Sequence, residues 1–127
     1  LAAGDTPGAV EHAQRALRAA DAAIRLEPMR ASNHERRGVA LAMLVPLAHA
    51  DARPSEAAAW GAFVTAEHLA PADALIRVEH ARAALALSRP AIARAQADTI
   101  ARLYPGSAVG WALMDSARVA LGRGAGE

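Results

Sequence analysis

Three prolines set the frame of this chain. Pro71 and Pro105 stand 34 residues apart, and Pro28 and Pro71 stand 43 apart, which is 34 plus a nine-residue insertion. The same small set of side chains precedes each of them. Two residues before the proline come Leu26, Leu69 and Leu103. Five before it come Ala23, Ala66 and Ile100; eight before, Ala20, Phe63 and Ala97; twelve before, Ala16, Ala59 and Ala93. Offsets of 4, 3 and 3 place these residues on one stripe of a helix. The proline then ends the helix, because it has no N–H to donate and its ring clashes with the preceding turn. A chain patterned in this way is held to a series of helices that stop at regular intervals.

Composition agrees with helix and removes several alternatives. Of 127 residues, 37 are alanine, the best helix former, and only four are aromatic. Few aromatic residues leave little material for stacking nucleic-acid bases. The 14 basic residues are all arginine, against 13 acidic ones, so the net charge of +1 gives no general pull toward nucleic acid or anionic lipid. Cysteine is absent, which excludes disulfides, thiolate nucleophiles and cysteine metal sites. The longest apolar run, 39–48, is about half the ~20 residues that a membrane-spanning helix needs. We therefore expect no membrane insertion. The chain starts at Leu1 rather than at Met, and its Ala/Arg richness without lysine looks like high-GC bacterial coding. Both lead us to expect a piece of a longer bacterial chain.

The repeat resembles the tetratricopeptide repeat (TPR) family, in which each unit has 34 residues and two antiparallel helices. Its marks are Trp, a small residue, Ala, an aromatic, Ala and a closing Pro. Trp111, Gly38, Ala59, Phe63, Ala66 and Pro71 match those marks in place. The chain departs from them at Asp115, where a small residue belongs, and at His34 and Arg77, where the Trp belongs. The resemblance covers nearly the whole chain as degenerate units. It implies an all-α array of antiparallel helical hairpins in a short right-handed superhelix of about six helices.

We expect one repeat domain over 1–127: a half-unit 1–30, a unit 31–71 carrying the insertion, a unit 72–106, a terminal helix 107–121 and a Gly-rich tail 122–127. The helices are expected at 8–27, 31–50, 55–70, 72–88, 90–104 and 107–121, with Pro46 kinking or ending the second. Thr6, Ser55, Ser107 and Ser32 are N-cap choices, and Pro7 and Pro90 suit a first helical turn. Ala59, Ala66, Ala81 and Ala93 are expected to be buried at close helix crossings, with Phe63 beside them. The terminal helix carries Val109, Trp111, Leu113, Met114, Val119 and Leu121, more apolar than a solenoid cap should be, so further chain or a partner is expected to cover it.

Chemistry is not encoded in any recognisable arrangement. There is no H-x3-H or E-x2-H spacing for a metal on one helix, and Glu-His neighbours point about 100° apart. No serine lies in G-x-S-x-G, and the glycines at 122–126 follow a helix instead of opening one as a phosphate loop would. His49 is expected to be solvated. The arginines are spread along helices, with Asp21–Arg25 and Asp98–Arg102 spaced for surface ion pairs. We expect no enzyme, no cofactor, no metal and no nucleic-acid partner.

Function follows only from the resemblance. In TPR arrays the concave wall is lined by the first helix of each unit. The corresponding residues are Ser32, Glu35, Val39, Ala42 and Met43, then Leu75, Val78, Arg82, Leu85 and Ala86, then Val109, Ala112, Ser116, Val119 and Ala120. Glu35, Val39, Met43, Val78, Glu79, Arg82 and Leu85 are the expected partner-binding residues. The alternative for each is packing on a neighbouring repeat, and for Val78 and Leu85 on the helix at 90–104. Apolar walls of this kind suit an amphipathic helix or an extended peptide. With no lysine and with Asn33 as the one asparagine, the carboxylate clamp of chaperone-tail TPRs is not expected. The expected function is a non-catalytic module that binds a peptide or helix of a protein partner. The alternative is a structural or assembly subunit of a larger bacterial complex, envelope complexes included.

Overall fold

Each proline corner is built in the same way. The residue before a proline is forced out of the α region by the proline ring. Ala70 accordingly has φ −142° and ψ 72°, and Tyr104, 34 residues on, has φ −136° and ψ 79°. Their N–H groups still close the last helical turn: Ala70 donates to the Ala66 carbonyl at 3.0 Å and Tyr104 to the Ile100 carbonyl at 2.8 Å. Glu27, before Pro28, donates to the Ala23 carbonyl at 2.8 Å. The 34-residue interval is therefore a repeat of backbone conformation.

The structure, a computed structural model, describes residues 7–47 and 54–126. They form six helices and, among the described residues, no strand. These are α1 (Pro7–Leu26), α2 (Ala31–Leu47), α3 (Glu56–Leu69), α4 (Ala74–Ala86), α5 (Pro90–Leu103) and α6 (Ala108–Gly126). The chain divides into two compact units, Leu1–Pro71 and Ala72–Glu127. In the first, α2 packs against both α1 and α3 as antiparallel hairpins. In the second, α5 packs against α4 and α6, and α4 also touches α6.

The starts of the helices follow local chemistry. Ser55 Oγ accepts from the Ala58 N–H at 3.1 Å, and Ser107 Oγ from the Gly110 N–H at 3.2 Å. Asp73 caps α4 by accepting from the Leu75 N–H at 3.0 Å, so this helix begins two residues later than expected. Ser32 lies inside the first turn of α2, not at its cap. Thr6, His49 and the end of the second helix expected at 50 fall outside the described residues. Pro46 lies within α2, one residue before Leu47.

Two ends differ from expectation. The Gly-rich stretch does not form a separate tail: α6 continues through Gly122 and Gly124 to Gly126. Glycine in a helix interior costs about 1 kcal/mol but does not forbid the α conformation. At the end of α4, Ser88 takes a left-handed conformation with φ 59°, while the Arg89 N–H reaches the Ala84 carbonyl at 2.8 Å. A side chain pays about 1–2 kcal/mol for that region, partly offset for glycine by its freer unfolded chain. Ser88→Gly is expected to raise stability by about 0.5 kcal/mol, read as a higher urea midpoint.

The stripes of α3 and α5 are buried in the cores of the two units. Ala59, Phe63 and Ala66 on α3 have no exposed surface, nor do Ala81 on α4 and Ala93, Ala97 and Ile100 on α5. The four alanines expected at close crossings are thus all buried. The repeated leucine, however, is not part of the stripe. Leu26, Leu69 and Leu103 are each the last residue of a helix, where the chain is already leaving its neighbour, and Leu26 is 84% exposed. Two glycines permit the tightest approaches. A Cβ on Gly38 would sit 2.9 Å from two carbons of the Phe63 ring, and one on Gly110 would sit 2.9 Å from Ile100 Cγ2.

Polar contacts tie the hairpins at their edges. Arg37 Nε donates to Asp21 Oδ1 at 2.9 Å, linking α2 to α1, and Arg77 Nη1 donates to Gln96 Oε1 at 3.2 Å, linking α4 to α5. Asp21 thus pairs with Arg37 of the facing helix instead of the expected Arg25. Arg102 donates to Thr99 Oγ1 at 3.4 Å and not to Asp98.

Candidate partner-binding surfaces

In the first unit the expected residues lie on α2. Glu35, Val39 and Met43 follow one another at intervals of four and share a face. Glu35 and Val39 are half-buried and Met43 is exposed. Arg36, which the sequence reading leaves aside, is exposed and stands three residues before Val39 and seven before Met43, so it borders the same face. Ala42, also a wall position, is buried. The face available on α2 is narrow: one flexible thioether, the edge of a valine and two charged groups.

In the second unit the expected residues divide. Val78 is only 7% exposed and belongs to the core, so its side chain is not available to a partner. This is the packing alternative stated for Val78, and α4 has two neighbours, α5 and α6, to pack against. Leu85 is half-buried. Glu79 and Arg82 pair with each other one turn apart, Arg82 Nη1 donating to Glu79 Oε1 at 3.4 Å. The Arg82 side chain remains 60% exposed. Such a pair, long and solvated, contributes a few tenths of a kcal/mol and leaves the guanidinium free to turn to another carboxylate. Leu75, on the same helix, is 62% exposed. On α6, Val109, Ala112, Ser116 and Val119 are all exposed.

Trp111, which matches the repeat, and His34, which departs from it at the same position, perform one task. Trp111 Nε1 donates to the Pro105 carbonyl at 2.9 Å, six residues back across the corner. His34 Nε2 meets the Pro28 carbonyl at 2.6 Å, at the same offset. A carbonyl can only accept, so the His34 ring carries its proton on Nε2. In both corners a flat ring donates an N–H to the proline that ended the previous helix. The Asn33 amide supplements the first corner, donating to the Ala23 and Glu27 carbonyls at 3.3 and 3.1 Å. These rings are corner staples. Trp111→Phe is expected to cost about 0.5–1 kcal/mol by losing one partly solvated bond. Trp111→His should cost less, because a histidine already makes this bond at position 34. Equal losses in thermal melts of the two variants would show that the ring's bulk matters and not its N–H.

Among the described residues, no three His, Asp or Glu side chains come together as a metal site. No described helix is long and apolar enough to cross a membrane. The chain matches no protein-family model, no curated protein and no solved structure.

Proposed function

We propose that this chain is a non-catalytic protein-interaction module made of degenerate TPR-like hairpins, and that it holds a peptide or helix of a protein partner. The TPR reading is supported by the recurring proline corners, by the alanine stripes and by the contact of α4 with α6 across α5. That contact joins the first helices of two successive units, as stacking of such repeats requires. The observation that carries the functional reading is the exposure of large apolar side chains at wall positions, with Leu75 foremost and Val109 and Val119 on α6. An aliphatic surface beside the exposed Arg82 suits an amphipathic segment that brings leucine-like side chains and a carboxylate.

The test is a pull-down with the immobilised chain, followed by affinity measurement on the recovered partner. Leu75→Glu and Arg82→Glu are expected to weaken binding at least tenfold while the melting temperature stays within 2 °C, on the order of the ±0.5 kcal/mol typical of surface changes. Binding unchanged by both substitutions would remove this surface from consideration. A second reading is an assembly subunit of a larger bacterial complex, favoured by the exposed valines and Trp111 of α6. Light scattering separates the two: a peptide-binding module stays monomeric, whereas an assembly subunit self-associates.

A further inference from the structure

We draw no further inference here: the strongest candidate, the exposed apolar side chains Val109, Trp111 and Val119 spread around α6, carries nothing because nothing in the structure shows what covers them.

Discussion

Phe63→Ala is expected to destabilise the protein by about 3–5 kcal/mol, the range for deleting a fully buried aromatic ring. Phe63 and Ile100 are the largest side chains with essentially no exposed surface, and around Phe63 the buried residues of α3 are alanines and a glutamate. Alanine has no rotamer with which to fill a vacated ring site, so the α3 side of the cavity cannot close. With a total stability of about 5–15 kcal/mol for a domain of ordinary size, a loss of this order is large. Chemical denaturation followed by circular dichroism measures it. A loss below about 1 kcal/mol would mean that the ring is not enclosed as described.

Gly38→Val should be nearly as damaging, at about 1–3 kcal/mol, for the opposite reason. The first carbon added at Gly38 already falls 2.9 Å from Phe63 Cδ2 and Cε2 and 3.0 Å from Cγ. A ring held on its other sides cannot retreat without strain. Glycine and valine differ by only a few tenths of a kcal/mol in helix propensity, so backbone preference does not obscure the steric effect. The two substitutions are coupled through one contact. In the Phe63→Ala background, Gly38→Val should cost little or even restore stability, with a coupling of about 1–3 kcal/mol. An equal cost in both backgrounds would place the origin of the effect elsewhere than at the Phe63 ring.

The helices were legible in the sequence because proline and the alanine stripe act locally. Five of the six starts fall within one residue of the expectation, and the exception, α4, begins where Asp73 supplies a better cap than Ala72. Burial of Ala59, Ala66, Ala81 and Ala93 was legible for the same reason: periodicity identifies a face, and small residues on it identify a close crossing. What depends on the neighbour was not legible. The spacing of Val78 fits both a wall residue and packing on a neighbouring helix, and only the fold, which leaves it 7% exposed, decides for the second. Leu26 recurs like a core residue, yet it stands at the last position of its helix, where little faces it. His34 departs from the repeat by residue type and conforms to it by hydrogen bond, since pattern matching compares side-chain identity and the corner requires only a ring N–H at the right reach.

The alanine core also sets the direction in which the sequence can drift. A leucine-built core can be edited both ways, trading a larger side chain here against a smaller one there. At Ala59, Ala66, Ala81, Ala93 and Ala97 the only reduction is to glycine, and every other exchange adds atoms to an occupied space. Compensation must therefore come from outside the stripe, by trimming Phe63 or Ile100 or by moving a whole helix. Relatives of this chain would be expected to keep their alanines while varying freely at the corners, where a tryptophan and a histidine already do the same work.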